Sequence, residues 1–211
     1  CVIILLLPIT FYVYGISKIK SFELLEKTKN ERLIRVIGSE IEISRFFENT
    51  NTKTVIDELI QLSDPNLDTK TLFIWPEGII PQINQSDLND FEFLFNKRFN
   101  NNHLIVIGIN HFDNSNGKNK FYNSFSLYDH KLNVVSAYNK VNLVPFGEFL
   151  PFEKLLKSFG LKTITNNYQS YSKGEERNII DLKYNNLSVK ILPLICYEII
   201  YSGKIFIDNN F

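Results

Sequence analysis

The sequence predicts an α/β fold, a sandwich built on a mixed sheet, and two observations support this. In the first half of the chain, short apolar runs of strand length alternate with helical patterns, and hairpins follow in the second half. The 211 residues are 44% hydrophobic, which suffices for one domain with a sizeable core. Lys+Arg and Asp+Glu both number 23, so no net basic field attracts phosphates, and we expect no nucleic-acid partner.

The amino-terminal segment is uncharged and almost wholly apolar over residues 1–16, CVIILLLPITFYVYGI. A membrane-spanning helix needs about 20 such residues. We therefore interpret 1–16 as a partial transmembrane helix, followed by a linker over 17–30. A signal peptide and a buried core helix are the alternatives. The chain begins at Cys1 and contains no methionine, so we expect it to be a fragment of a longer protein.

The first half of the remaining chain is typical of alternating strands and helices. ERLIRVIGSEI (31–41) and TLFIWP (71–76) are apolar runs of strand length. Between them, TKTVIDELIQL (52–62) has the spacing of an amphipathic helix. Its expected buried face consists of Val55, Ile56, Leu59 and Ile60. A cap at Ser86 predicts a further helix that runs to about Phe99.

The second half is typical of strands joined in hairpins. HLIVIGINHF (103–112) is a strand, and FYNSFSLYD (121–129) with LNVVSAY (132–138) forms a hairpin. The segment 139–152 has no clear period and is expected to be a structured loop. The last elements expected are a short helix over 153–159 and a second hairpin formed by 178–184 and 187–195 around Asn185-Asn186.

Cys196 is a candidate nucleophile. Because the other cysteine is Cys1, at the far end of the chain, a disulfide framework is excluded. Cys196 follows the apolar run LSVKILPLI, and the carboxyl end of a buried strand is a favoured position for a nucleophile. A small buried hydrophobe is the alternative. None of the histidines, His103, His111 and His130, has an orienting partner in sequence that would make it the base.

Two charged residues at the ends of other strands could assist such a nucleophile. Glu77 comes directly after LFIWP, where Trp75 and Pro76 would shield its carboxylate and raise its pKa toward the range of a general base. Lys140 comes after another strand and could stabilise an oxyanion, with Glu148 holding its ammonium in place. The alternatives are that Glu77 is a solvated turn residue and that Lys140 is a surface charge.

Motifs for other kinds of site are missing from the sequence. It contains no G-x-G-x-x-G or G-x-x-x-x-G-K-[ST] pattern for phosphates. It also contains no H-E-x-x-H, no C-x-x-C and no clustered histidines. We therefore expect neither a cofactor nor a metal.

Three motifs, WPEG, YNKVNLVPFGE and ICYE, together resemble the nitrilase, or carbon–nitrogen hydrolase, superfamily. Its Glu-Lys-Cys triad matches Glu77, Lys140 and Cys196. Within the superfamily, LVPFGEFLPFE (143–153) is most similar to the apolipoprotein N-acyltransferase family. The resemblance implies a nitrilase-like α-β-β-α sandwich with mixed sheets over 31–211, incomplete at its carboxyl terminus.

The resemblance also implies a two-step acyl transfer. Cys196 would attack a phospholipid ester and hold the acyl chain as a thioester. Glu77 would act as general base, and Lys140 would stabilise the oxyanion. The acceptor would be the amino-terminal amine of a diacylglyceryl-modified apolipoprotein. Supporting positions would be Glu148, Tyr197 and Glu198, with the tyrosine shaping the acyl pocket.

The family is located in the bacterial inner membrane, where the catalytic domain faces the periplasm after several membrane spans. By the charge rule for membrane topology, four lysines after the helix would instead favour a cytoplasmic location for the domain that follows: Lys18, Lys20, Lys27 and Lys29. Two other functions stay open. One is a soluble nitrilase-like amidase acting on a small C–N substrate, and the other is a non-catalytic domain that keeps the sandwich as a scaffold.

Overall fold

The computed structural model describes residues 2–23, 32–38, 51–80, 83–115, 117–153, 158–159, 170–184 and 187–200. The chain divides into two units, Cys1–Glu31 and Arg32–Phe211. The second unit contains the sheets and the candidate site.

The first unit contains one helix, α1 (Val2–Glu23). It continues past residue 16 into the range predicted as a linker, because no proline or glycine interrupts the stretch from Ser17 to Glu23. Lys18 and Lys20 lie in this charged extension. Within the described part of the chain, no helix is long and apolar enough to cross a membrane, so the predicted membrane span is not confirmed.

The second unit is built on a five-stranded mixed sheet with the order β1-β2-β3-β4-β5. β1 pairs parallel with β2, and β2 pairs parallel with β3. The pairs β3–β4 and β4–β5 are antiparallel, which confirms the predicted mixed sheet and its first hairpin. The strands are β1 (Arg32–Val36), β2 (Lys70–Glu77), β3 (His103–Asp113), β4 (Lys120–Asp129) and β5 (Val134–Asn139).

One face of this sheet is covered by helices. The helix α2 (Thr52–Ser63) begins at Asn51, whose side chain accepts a hydrogen bond from Lys53 N at 3.0 Å. Its buried residues include all four that the sequence predicted, Val55, Ile56, Leu59 and Ile60. They pack in one apolar cluster with residues of β2 and β3, among them Phe73, Trp75, Ile105 and Ile107.

The opposite face is covered by the second predicted hairpin, which is confirmed as β6 (Ile180–Tyr184) and β7 (Leu187–Ile191). Leu182 of β6 packs in a second apolar cluster with Leu72, Leu104, Val106 and Leu127 of the large sheet. The described residues of the second unit therefore form three layers, helix, sheet and hairpin.

The helix predicted from Ser86 to about Phe99 is wrong in detail. A 3₁₀ helix occupies Asp87–Phe91, and α3 is short, Glu92–Phe95. The Ser86 side chain makes no capping hydrogen bond, because its hydroxyl donates to Asp87 Oδ1 at 3.0 Å instead. Most of the short helix predicted over 153–159, the end of the first strand from residue 39, and the turn at 185–186 lie outside the described residues.

Candidate active site

Glu77 is the last residue of β2, and an irregular pairing decides which way its side chain points. Ile74 pairs with Val106, but Glu77 pairs with Gly108, so β2 contains one extra residue. Regular alternation would place Glu77 on the helix-covered face with Trp75. The bulge places it on the other face, with Ile74.

The predicted shielding of Glu77 by Trp75 is therefore wrong. The Trp75 indole lies in the helix-covered core, where its Nε1 donates to Ser63 Oγ at 2.9 Å. Glu77 is exposed. Its neighbour across the strands is Gly108, where an added Cβ would lie 2.6 Å from Glu77 Cα. This close approach requires a glycine.

Asn123 of β4 connects two of the predicted carboxylates. Its Nδ2 donates to Glu77 Oε1 at 2.6 Å and to Glu148 Oε1 at 2.9 Å. Both amide hydrogens of the side chain are used in this way. Sequence analysis did not single out Asn123, because its partners are distant along the chain.

Lys140 is buried, with 1% of its side chain exposed, and it directly follows β5. Its Nζ lies 2.7 Å from Glu148 Oε1, so the predicted contact between these two residues is present. Its main chain is fixed on both sides, since Lys140 N donates to Asn123 O at 2.9 Å and Gly174 N donates to Lys140 O at 2.8 Å. The ammonium therefore has a defined position.

The Glu148 carboxylate is held in its ionised form. Burial alone would raise its pKa, but hydrogen bonds from Lys140, from the amide of Val144 and from Asn123 outweigh this and place the pKa below its ordinary value. Val144 N donates to Glu148 Oε2 at 2.9 Å. Glu77, Asn123, Glu148 and Lys140 thus form one continuous hydrogen-bonded network.

Cys196 lies in a tight turn after β7 and is exposed. It begins a 3₁₀ helix over Cys196–Ile200 and has a φ of 50°, in the left-handed region that residues other than glycine rarely adopt. A nucleophile elbow also places an exposed side chain on a strained turn, so this position is compatible with the predicted nucleophile. Tyr197 beside it is 45% exposed.

Glu198 connects the turn of Cys196 to the segment after Lys140. Ile195 N donates to Glu198 Oε2 at 2.9 Å. The other oxygen, Oε1, accepts hydrogen bonds from Val141 N at 3.1 Å and from Asn142 N at 2.9 Å. Burial would raise the pKa of Glu198, but these bonds and those from Tyr138 and Arg177 hold it below its ordinary value.

The structure therefore joins the sequence-predicted residues through two networks. Glu77, Lys140 and Glu148 belong to the first, and Glu198 links the Cys196 turn to the residues next to Lys140. Arg177, which pairs with Glu198 at 2.6 Å, was also missed by sequence analysis, because no local motif surrounds it.

The sequence of this chain matches one protein family and is similar to several known proteins. Residues 57–207 match the carbon-nitrogen hydrolase family. An apolipoprotein N-acyltransferase of Brucella suis biovar 1 (strain 1330) is 27% identical over 180 residues, which cover 82% of this chain and 33% of that protein. Another of the same name, from Rhizobium leguminosarum bv. trifolii (strain WSM2304), is 31% identical over 139 residues, covering 65% of this chain and 25% of that protein.

Among solved structures, that of an amidase from Nesterenkonia sp. is 14% identical, with a TM-score of 0.37, and covers 76% of this chain and 53% of that chain. The chain spans about a third of the length of the curated relative from Brucella suis. The family match includes Glu77, Lys140 and Cys196, and the resemblance predicted from their three motifs is confirmed. The chain therefore belongs to the carbon-nitrogen hydrolase family.

Proposed function

We propose that this chain is the catalytic domain of a membrane-bound apolipoprotein N-acyltransferase, with Glu77, Lys140 and Cys196 as its triad. The observation that carries the proposal is the buried Lys140 ammonium, held 2.7 Å from Glu148 and connected through Asn123 to Glu77. A preorganised charge in a low-dielectric environment is what stabilises a developing oxyanion. The similarity to proteins named apolipoprotein N-acyltransferase supports the substrate class.

The first half-reaction would transfer an acyl chain from a phospholipid to the enzyme. Glu77 takes the proton of the Cys196 thiol, and the sulfur attacks the carbonyl carbon of the ester. Lys140 donates hydrogen bonds to the resulting oxyanion. Collapse breaks the ester C–O bond, the proton on Glu77 passes to the leaving alkoxide, and a thioester and a lysophospholipid result.

The second half-reaction would transfer the acyl chain to the amino terminus of a diacylglyceryl-modified apolipoprotein. The amine attacks the thioester carbonyl, and Glu77 takes its proton. The C–S bond breaks, an amide forms, and the thiolate regains the proton from Glu77. Such a double displacement predicts ping-pong kinetics.

The location and the missing parts of the fold belong to the same proposal. The full-length protein would lie in the bacterial inner membrane with several spans, and this domain would face the periplasm, where lipoproteins are matured. Its fold would be completed to an α-β-β-α sandwich by a further helical layer. Tyr197, exposed beside Cys196, would contact the acyl chain.

Mass spectrometry of the full-length protein tests the proposal. The detergent-purified protein is incubated with a phospholipid of defined acyl chain and no acceptor, then digested. We expect the peptide containing Cys196 to gain the mass of one acyl chain and to lose it in hydroxylamine. Addition of a diacylglyceryl-cysteine peptide should release the chain as an amide.

Two variants serve as controls. Cys196→Ala should gain no mass, and Cys196→Ser should gain at most a chain held as an oxygen ester, which neutral hydroxylamine cleaves far more slowly than a thioester. An unmodified Cys196 in a folded protein that releases ammonia from small amides would favour the soluble amidase. Full lipoprotein acylation in cells by Cys196→Ala would favour the scaffold domain.

A further inference from the structure

The Cys196 turn is held by a carboxylate that must be ionised to do so. The backbone amide of Glu198 donates to Ile195 O at 3.1 Å, and its side chain accepts from Ile195 N at 2.9 Å. The side-chain bond is the half of a capping box in which a glutamate accepts from the amide three residues before it, and a main-chain turn bond replaces the other half. Glu198 Oε1 also accepts from Val141 N and Asn142 N, so the carboxylate connects the Cys196 turn to the segment after Lys140.

An ionised carboxylate in this position needs a counter-charge. Glu198 is 0% exposed, and a charge removed from water is costly unless it is paired. A protonated carboxyl would present a donor to groups that are themselves donors. The hydrogen bonds to Ile195, Val141 and Asn142 therefore depend on the negative charge.

Arg177 provides that counter-charge. Its Nη2 lies 2.6 Å from Glu198 Oε1, and its Nε donates to Tyr138 Oη at 3.2 Å. The Tyr138 hydroxyl in turn donates to Glu198 Oε1 at 2.8 Å. With 7% of its side chain exposed, the guanidinium is nearly as sheltered from solvent screening as the fully buried Glu198.

We propose that Arg177 is a positioning residue for the nucleophile: it keeps Glu198 ionised, and the ionised Glu198 holds the Cys196 turn against the segment after Lys140. This inference rests on the proposed acyl transfer. Arg177 acts through Glu198 and does not touch the reacting atoms. The groups that face the Glu198 carboxylate are Tyr138 from β5, Arg177 from the segment before β6, and the amides of Val141, Asn142 and Ile195.

The test is the pH dependence of Cys196 acylation in the full-length Arg177→Met protein. Without the guanidinium, Glu198 should take up a proton at neutral pH, and the turn should lose its position. We expect single-turnover thioester formation to fall by roughly tenfold to a hundredfold near neutral pH. The rate should recover toward that of the wild type as the pH is raised, because burial without a counter-charge raises the pKa of a Glu and the carboxyl regains its negative charge only at higher pH. Affinity for phospholipid should stay unchanged.

Two matched variants separate charge from packing. Arg177→Lys keeps the positive charge, so its rate should lie above that of Arg177→Met and show no recovery at high pH. Tyr138→Phe removes a neutral donor from the same carboxylate, so it should show no such recovery either. A loss in Arg177→Met that is the same at every pH would overturn the proposal, as would a wild-type rate at neutral pH.

Circular dichroism and thermal melting show whether each variant is folded. If Arg177→Met does not fold, Arg177→Gln keeps a donor near Glu198 and is judged by the same pH criterion. A wild-type protein that forms no thioester would overturn the acyl transfer itself. If the wild-type protein forms the thioester and the Arg177 variants form it at the same rate at every pH, only the role of Arg177 is overturned.

Discussion

Gly108 lies so close to Glu77 that a Cβ on the glycine would come within 2.6 Å of the Glu77 Cα. The bulge in β2 brings the two residues into register, and it also turns the Glu77 side chain toward Asn123. The orientation of the proposed base therefore depends on the absence of a side chain in the neighbouring strand.

Gly108→Ala should displace the end of β2. We expect the free energy of unfolding to fall by about 1–3 kcal/mol, as in other overpacked interiors. Thioester formation on Cys196 should fall as well, because Glu77 moves away from Asn123. Gly38→Ala is the control, since no atom of the described residues lies within 4 Å of a Cβ at that position, its chain neighbours aside. Urea unfolding and the acylation assay measure both effects, and an equal response of the two variants would contradict the expectation.

Glu148→Gln should leave the buried Lys140 ammonium without its carboxylate. Breaking a buried ion pair on one side costs about 3 kcal/mol or more in the free energy of unfolding. The matched control is Asp181→Asn, which removes the carboxylate of an ion pair to Lys183; the Lys183 and Asp181 side chains are 75% and 53% exposed. This exposed pair should contribute less than about 1 kcal/mol. Comparable losses in the two variants would count against a buried charge at Lys140.

Asn123→Ala should separate the proposed base from the rest of the network. Glu77 and Glu148 would lose their shared donor, so we expect thioester formation to slow by roughly tenfold, with little change in phospholipid affinity. Asn133→Ala removes a similar bond, from Asn133 Nδ2 to Asp129 Oδ2 at 2.9 Å, in an exposed turn. It should acylate at the wild-type rate. An Asn123→Ala protein as fast as this control would show that the shared amide has no role in catalysis.

His103 should make stability depend on pH. Asn100 N donates to His103 Nδ1 at 3.1 Å, so the other ring nitrogen carries the proton and donates to Asn66 O at 2.9 Å. Burial lowers the pKa of His103 below its ordinary 6.5, against the opposing effect of the bond to Asn66. The unfolded chain therefore takes up a proton that the folded chain does not.

The stabilising contribution of neutral His103 is then fully present above about pH 6.5 and is lost as the pH falls toward the folded-state pKa. We expect the free energy of unfolding to decrease across this range more steeply in the wild type than in His103→Gln. Urea unfolding at several pH values measures the difference between the two slopes. Parallel slopes would mean that His103 is not the group responsible.

The sequence predicted those parts of the fold that depend on local patterns. The spacing of apolar residues in α2 identified its buried face, because a helix repeats over a few residues. The apolar runs at β2 and β3 were recognisable for the same reason, since buried parallel strands are continuously hydrophobic. The positions of Glu77 and Lys140 at strand ends could also be inferred from the motifs around them. The prediction that Cys196 directly follows a strand over 187–195 was wrong, because β7 ends at Ile191 and a non-strand segment precedes the turn of Cys196.

The parts that were missed depend on contacts between distant residues. The bulge before Glu77 has one local sign, Pro76, because a proline inside a central strand is tolerated at a bulge. The direction of the Glu77 side chain follows only from the pairing of Glu77 with Gly108. Asn123 and Arg177 act on carboxylates 46 and 21 residues away, to which no local pattern could assign them. The helix after Ser86 is shorter than predicted, because the Ser86 hydroxyl donates to the Asp87 side chain and does not cap the helix.

At Cys196, the residue that the proposed reaction requires is not the residue that is most stable in the left-handed backbone conformation found there. A residue with a Cβ pays about 1 kcal/mol or more for that conformation, and glycine does not. Substitution of Cys196 by glycine should therefore yield a protein that melts at a higher temperature and transfers nothing. Stability alone would favour glycine at this turn, so a use of the Cys196 side chain, such as the proposed acyl transfer, would have to offset the cost of the conformation.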